Sequence, residues 1–222
     1  MKVHPSRMRR LLVVLAVSAA SIPAAAAESA IPVPEPPPTS AHYLQYGVAL
    51  TGEAVVSAQD VCPDTSSEAP CILRSGVGVA IRLGYRTRGA WYVGAAYEFS
   101  RQDPANLMRL AILQQLRAET RYYADRGMRL TPYLSAGLGA AVYGNEWGAD
   151  TGGVTGFLGG GVEFQLSSTA VVGAALAYRP FVFRGWTDSA GQRRADRYLG
   201  FGLAHLVGLE ITMEIREPLA RW

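Results

Sequence analysis

Hydrophobic residues alternate with small or polar residues along most of the chain from residue 42 onward. In the segment Ser75 to Arg86, one set of alternate positions is apolar and the other is dominated by glycine, alanine and arginine. A period of two residues is typical of a β-strand with two different faces, whereas a helix repeats every 3.6 residues. The pattern therefore predicts strands and an all-β protein.

The alternation recurs in eight segments, which predicts eight strands. The segment Leu107 to Ala124 has the composition of a helix, but its alternate positions also separate into apolar and polar sets. We interpret it as a strand because strands are predicted on both sides of it. Short turns and long polar loops alternate between the segments. The short turns are Arg86–Gly89, Asp125–Gly127 and Ser167–Thr169, and the long loops are Glu53–Arg74, Arg101–Asn106, Gly144–Gly153 and Arg184–Ala195.

An even number of strands, with short turns at one rim and long loops at the other, is the layout of an outer-membrane barrel. A soluble barrel would instead place its apolar stripe inside. The apolar stripes contain His205 but no acidic residue, Lys or Arg, and the opposite stripes are rich in Gly, Ala and Ser. We therefore expect an eight-stranded antiparallel up-and-down transmembrane β-barrel over residues 42–216, with its apolar stripes facing lipid.

This orientation predicts the location of two groups of side chains, the aromatic residues at the membrane interfaces and the charged residues in the lumen. Aromatic residues near the strand ends suit the membrane interfaces. Charges on the inward stripe must pair, because an isolated ion in a narrow lumen is strongly destabilising. The predicted interface aromatics are Tyr85, Trp91, Tyr122 and Phe164 on the turn side, and Tyr97, Phe99, Tyr178 and Phe201 on the loop side. The predicted lumenal charge network is Arg82, Glu98, Arg117, Glu119, Arg121, Glu163, Arg179 and Glu210, with Arg86 and Arg109 on the same stripe.

The N-terminal segment resembles an export signal. Residues 1–10 carry four basic residues and no acid, an apolar run follows, and four alanines precede Glu28. This arrangement predicts a secretory signal peptide at residues 1–27, since Pro23 interrupts the apolar run before it could span a membrane. Residues 28–41 contain five prolines, which predicts an extended periplasmic leader, either a spacer or a ligand for a proline-binding partner. Residues 217–222 form a predicted C-terminal tail.

The net charge changes once the signal is removed, whereas both cysteines remain in the mature chain. The precursor has a formal net charge of +3, and loss of the four basic residues of the signal leaves −1. Nucleic acid is therefore not an expected partner. Cys62 and Cys71 are an even pair in an exported chain, which favours a disulfide over half of a metal site. The sequence suggests no cofactor and no metal site.

The architecture resembles the small eight-stranded outer-membrane barrels of the OmpA transmembrane-domain and OmpX type. The resemblance covers about residues 42–216. Within it, residues 208–213 (Gly-Leu-Glu-Ile-Thr-Met) look like the last-strand signal read by the barrel-assembly machinery, although the chain continues to Trp222. The resemblance implies a monomeric, porin-like protein of a Gram-negative outer membrane, surrounded by membrane lipid and lipopolysaccharide.

Three classes of function are compatible with such a barrel. The first is a structural or narrow ion-permeable barrel, because eight strands enclose a lumen that side chains fill. The second is surface recognition through the long loops, where Trp147 and Trp186 could anchor a partner, although they could equally be upper members of the interface belt. The third is a lipid-modifying enzyme, which we do not expect, because His42 and His205 have apolar neighbours and no nucleophile motif is present. We therefore expect the first class, with recognition as the alternative.

Overall fold

The structure is a computed structural model, and the part of the chain that it describes lacks several predicted features. The predicted signal peptide, nearly all of the leader, Cys62 with Cys71, Trp147 and the last three residues lie outside this part. The described residues are 41–58, 61, 73–102, 110–124, 130–146, 148–188, 191, 193–195 and 199–219.

Within these residues the chain forms ten strands. Eight of them build the wall of a barrel, and two short ones pair with each other in the connection before the last wall strand. The strands are β1 (Tyr43–Ser57), β2 (Gly76–Arg86), β3 (Trp91–Gln102), β4 (Ala111–Tyr123), β5 (Leu130–Asn145), β6 (Thr151–Gln165), β7 (Ala170–Arg184), β8 (Trp186–Thr187), β9 (Arg193–Arg194) and β10 (Phe201–Pro218).

The wall is a closed antiparallel barrel with the strand order β1-β10-β7-β6-β5-β4-β3-β2. Each wall strand pairs with the one before it, and β10 closes the barrel by pairing with β1, so no wall strand has a free edge. The predicted eight-stranded up-and-down fold is confirmed. The segment with helical composition is strand β4, paired along its length with β3 and β5. No helix among the described residues is long and apolar enough to cross a membrane.

Several strands extend further than the sequence pattern predicts. β1 continues to Ser57, and Glu53 pairs with Gly208 of β10 and Gly76 of β2, so the predicted loop start at Glu53 is wrong. β3, β5 and β7 likewise include residues assigned to loops. β10 begins at Phe201 and includes Glu217, which was assigned to the tail and pairs with Leu44. These differences have the same cause. The predicted strand ends were set by the ends of the apolar runs, whereas backbone pairing between neighbouring strands continues beyond those runs.

The ladder between β6 and β7 is interrupted near the middle of the wall. Thr155 pairs with Phe181 and Leu158 pairs with Tyr178, while the two residues between them on β6 have no paired partner on β7. Pro180 lies at this point, and proline has no backbone N–H to donate to the ladder. The hydroxyl of Thr155 instead donates to the Pro180 carbonyl at 3.2 Å. The interruption is therefore local, and pairing resumes on both sides of it.

The two faces of the wall differ completely in chemistry. Large apolar side chains point outward and are exposed, including Val77 at 70%, Leu138 at 75% and Leu176 at 60%. The inward side chains of the same strands are mostly buried and include arginine and glutamate. The apolar stripe of every wall strand therefore faces outward, and the polar stripe encloses the lumen.

Candidate lumenal charge network

The lumen contains a balanced set of charged side chains. Among the described residues, the inward positions of the wall carry six arginines and six glutamates, so their formal charges cancel. All are buried except Arg86, which is half-buried. Period-two alternation places them inside, because each lies an even number of residues from other inward positions of its strand. The set is Glu53, Arg82, Arg86, Glu98, Arg117, Glu119, Arg121, Glu163, Arg179, Glu210, Glu214 and Arg216.

The half of the network nearer the loops is centred on Arg179. One guanidinium nitrogen, Nη1, lies 2.9 Å from Glu53 Oε1 and 3.0 Å from Glu98 Oε2. Its other terminal nitrogen pairs with Glu210. Arg117 connects two of the same acids, with Nη1 at 2.6 Å from Glu98 Oε2 and Nη2 at 3.2 Å from Glu210 Oε1. The two arginines thus share Glu98 and Glu210, while Arg179 alone also pairs with Glu53, and ion pairs link all five side chains.

Glu53 also accepts hydrogen bonds from neutral side chains. Gln102 Nε2 donates to its Oε2 at 2.7 Å, Ser100 Oγ donates to the same oxygen at 3.0 Å, and Gln115 Nε2 donates to Oε1 at 3.0 Å. Together with Arg179, these donors use both carboxylate oxygens. A buried carboxylate is stable only with such saturation.

Arg82 joins the two halves of the network. It pairs with Glu210 of the loop-side half. Its Nε lies 3.4 Å from Glu119 Oε1, and its Nη1 lies 3.9 Å from Glu214 Oε1. The charges therefore form one connected system along the lumen.

The turn-side half is centred on Arg121 and Glu163. Arg121 Nη2 lies 3.0 Å from Glu214 Oε1 and 3.1 Å from Glu119 Oε1, and its Nη1 lies 3.3 Å from Glu163 Oε1. Arg216 pairs with Glu163. Each charge in this half is thus compensated by at least one opposite charge on another strand, and Arg121 and Glu119 also pair with each other within β4.

Tyrosines and a glutamine complete the turn-side half. The Tyr123 hydroxyl donates to Glu163 Oε1 at 2.6 Å, and Gln45 donates to Glu214 while accepting from Arg216 Nε at 3.1 Å. Aromatic rings cover the guanidinium groups as well. The Arg86 Cζ lies 3.9 Å from the Tyr123 ring centroid, a cation–π contact. These contacts add hydrogen bonds and ring contacts to the ion pairs of this half.

An apolar cluster occupies the loop-side end of the lumen. Its buried members come from inward wall positions and from the connections at that end. Phe181 and Phe183 of β7 stack with ring centroids 5.6 Å apart, and Tyr143 meets Trp186 edge-on at 6.5 Å. The cluster comprises Ala58, Val61, Leu73, Ala111, Leu113, Ala141, Tyr143, Phe181, Phe183, Trp186, Ala195, Ala204 and Leu206. Trp186 is 8% exposed, so its expected role as an exposed anchor is wrong: its ring completes this core.

The eight residues predicted for the network all lie inside the barrel and contact one another. Arg86 lies there too, and Arg109 is outside the described residues. The sequence pattern missed Glu53, Glu214 and Arg216. Glu214 and Arg216 continue the alternation beyond Glu210, so extending the inward stripe to the end of the strand would have identified them. Glu53 was missed because an acidic residue after Gly52 is typical of the start of a loop.

The predicted interface aromatics all lie on the outer face. Trp91 meets Tyr122 edge-on, with ring centroids 5.0 Å apart. Seven of the eight are exposed, and Phe99 is half-buried. The exposed set is Tyr85, Trp91, Tyr97, Tyr122, Phe164, Tyr178 and Phe201.

Both described histidines belong to tyrosine pairs on the outer face. His42 stacks on Tyr85, and His205 stacks on Tyr178; in each pair the tyrosine hydroxyl and the histidine Nδ1 share a hydrogen bond. Among the described residues, no hydrogen bond or ion pair joins either ring to a serine or an acid. Nor could any group of three or more His, Cys, Asp or Glu in this part of the chain hold a metal ion.

Comparison with known proteins identifies the fold alone. No family model and no curated protein matches the chain. Neisserial surface protein A (NspA) is similar in structure, with a TM-score of 0.51, 15% identity, and coverage of 78% of this chain and 96% of that chain. The outer membrane protein OprG from Pseudomonas aeruginosa has a TM-score of 0.47 and 14% identity, with coverage of 83% of this chain and 99% of that chain. The N-terminal β-barrel domain of Pseudomonas aeruginosa OprF has a TM-score of 0.40 and 16% identity, with coverage of 77% of this chain and 96% of that chain. The fold is thus similar to that of the small eight-stranded outer-membrane β-barrels, as the sequence resemblance predicts.

Proposed function

We propose that this protein is a barrel of the Gram-negative outer membrane whose lumen is closed by its own side chains. Its role is then structural, and it is not a channel for solutes. Export by the segment 1–27 and insertion by the barrel-assembly machinery are parts of the same proposal. The observation that carries it is the inverted distribution of polarity: charges lie inside the closed wall and large apolar side chains lie exposed outside.

The outer face supports insertion into lipid. A water-exposed wall would leave a continuous belt of apolar side chains in contact with solvent, which monomeric soluble proteins avoid. Between the strand ends, the outward positions of the wall carry no Asp, Glu, Lys or Arg. The exposed aromatics lie on the same face, as expected for side chains at the two membrane interfaces.

The interior supports closure of the lumen. Arg117 and Arg179 are each 1% exposed, and Glu98 is fully buried. The apolar cluster adds a second layer at the loop-side end, where Phe181 and Leu206 are also fully buried. Solvent therefore does not reach the centre of the network. Passage of an ion would require several mutually bound side chains to separate at once.

Fractionation and gel migration test the location. We expect the mature chain in outer-membrane fractions, with folded protein migrating differently from boiled protein on a denaturing gel, because a closed barrel resists detergent unless heated. Absence from the outer-membrane fraction, or migration that heating does not change, would contradict the proposal.

Planar-bilayer recording of the purified monomer tests closure. We expect no stable conductance on the nanosiemens scale. Stable large conductance would overturn the closed lumen and leave the membrane location intact. Small, fluctuating currents that increase in E98Q, a variant lacking one carboxylate of the network, would instead show that the network gates a narrow ion path.

A further inference from the structure

Two arginines stand apart from the lumenal network, on the outer face at the loop-side ends of their strands. Arg101 follows the exposed stripe of β3, and Arg184 is the last residue of β7. Both are exposed. Register confirms their orientation, since Arg101 pairs with Val77 and Arg184 pairs with Phe201, two residues with exposed outward side chains.

Neither guanidinium has a partner within the described part of the chain. No hydrogen bond or ion pair joins the Arg101 or Arg184 guanidinium to another described residue. The six lumenal arginines, in contrast, all have glutamate partners. An unpaired guanidinium directly above an apolar wall has its charge near the membrane interface and its donors free for an external acceptor.

Each arginine also lines a cleft. Arg184 borders a cleft of about 420 Å³ together with Val142, Asp150 and Gly152. Gly152, which pairs with Val142, also lines this cleft, and a Cβ added there would meet only the Ala141 carbonyl oxygen, at 3.6 Å. Arg101 borders a second cleft of about 280 Å³ with Val77 and residues 75–76 and 102. Both clefts combine an exposed apolar side chain with one cation.

We propose that Arg101 and Arg184 bind the phosphate groups of lipid A, the phosphorylated glycolipid of the outer leaflet, while its acyl chains lie along the apolar wall below. The inference rests on the proposed membrane location. Arginine binds phosphate through paired N–H donors, and basic side chains beside membrane-embedded surfaces select anionic head groups.

The distribution of outer-face charge favours this occupant. The two strand arginines lie at the loop-side end, which faces the outer leaflet in an up-and-down outer-membrane barrel. The outward residue at the opposite end of β10 is the acidic Glu217, which is exposed. On the outward stripe itself, the loop-side ends of β3 and β7 thus carry cations and the turn-side end of β10 carries an acid, which favours a polyanionic lipid at the loop-side ends of the wall.

The two clefts differ in whether an acidic residue lines them, and this difference predicts their relative affinity for phosphate. Asp150 lines the Arg184 cleft, and its Oδ2 accepts a hydrogen bond from the Asn145 N–H at 3.2 Å. The described residues that line the Arg101 cleft include no acid. Arg101 therefore provides the stronger phosphate site.

The test is a binding titration on the folded full-length protein in detergent, read by mass spectrometry of the intact protein–lipid complexes. The probes are bisphosphorylated lipid A, its dephosphorylated form, and phosphatidylglycerol. We expect R101Q to weaken binding of bisphosphorylated lipid A about fivefold, R184Q to weaken it less, and the double variant to weaken it more than either. R88Q is the matched control, because Arg88 is exposed in the turn at the opposite rim.

The proposal is overturned if the double variant binds bisphosphorylated lipid A as tightly as the parent protein, or if R88Q weakens binding equally. An equal loss for dephosphorylated lipid A would show that phosphate is not what the arginines recognise. An equal loss for phosphatidylglycerol would show that any anionic lipid suffices. A heat-modifiable barrel that fails these tests overturns this inference alone, whereas absence from the outer membrane overturns the proposed function.

Discussion

The inner and outer walls of the barrel are formed by alternate residues of the same eight strands, yet they obey opposite rules. Inside, each charge is stabilised by specific partners on other strands, and loss of one partner affects several others. Outside, the exposed apolar side chains have few specific partners, and in the proposed membrane location they contact a uniform apolar medium. We therefore expect the effect of a mutation on stability to alternate with a period of two along each strand.

The largest difference is expected at Glu210, the carboxylate shared by three arginines. It pairs with Arg82 and Arg179, and its Oε1 lies 3.2 Å from Arg117 Nη2. E210Q removes the negative charge and leaves these cations under-compensated in a buried site. We expect the free energy of unfolding to fall by about 3–5 kcal/mol, measured by denaturant titration of the protein folded into lipid vesicles.

E217Q is the matched control on the same strand. Glu217 points outward at the exposed turn-side end of β10. Its substitution should change stability by no more than about 0.5 kcal/mol. Equal stability of the two variants would contradict a network that depends on paired charge.

The second prediction places a charge on the outer wall. Leu176 is exposed on the outer face and lies between Gly160 and Leu209. L176R should destabilise the barrel in vesicles by about 2–4 kcal/mol, because the guanidinium enters the hydrocarbon region. A170R, at the turn-side end of the same strand and face, should cost only about 0–1 kcal/mol.

The informative result is how the loss of stability depends on the depth of the introduced arginine in the membrane, which the comparison of L176R with A170R measures. Equal costs for L176R and A170R would show that the outer wall does not sit in a bilayer with a central apolar region. Titration of both variants in the same vesicles, monitored by the folded band on a gel, measures the difference.

Much of the architecture could be predicted from the sequence, because the pattern of a barrel wall is local. Alternation, together with the strands predicted on both sides, assigned β4 as a strand although its composition favours a helix, and the alternation placed Arg117 and Glu119 of that strand inside. Binary patterning suffices for such assignments, since period two separates the faces whatever the partner strands are.

The pairing inside the lumen could not be predicted in this way. Glu53 and Arg179 are 126 positions apart, and their contact depends on register, barrel closure and side-chain length together. The interior of a narrow barrel brings every strand within reach of several others, so inward placement does not determine partners. The burial of Trp186 was unpredictable for a related reason: it depends on how the connection before β10 folds over the lumen.

The smallest expected difference compares two glycines, one on each wall. A Cβ at Gly208, which faces inward, would lie 3.1 Å from Arg179 Cζ and 3.2 Å from its Nε. A Cβ at Gly156, which faces outward, would meet Leu138 Cδ2 at 3.5 Å and Pro180 Cγ at 3.8 Å, which are ordinary contacts.

Inside, the methyl group cannot be accommodated easily, because the guanidinium of Arg179 is held by three carboxylates and has no free direction to move. G208A should therefore lower the free energy of unfolding by about 1–3 kcal/mol. Outside, G156A has room, and alanine orders a strand better than glycine, so its stability should equal or slightly exceed that of the parent. Denaturant titrations of both variants in the same vesicles decide the matter. A G208A variant as stable as G156A would mean that Arg179 can shift freely, and the lumen would then be looser than its charge pairing implies.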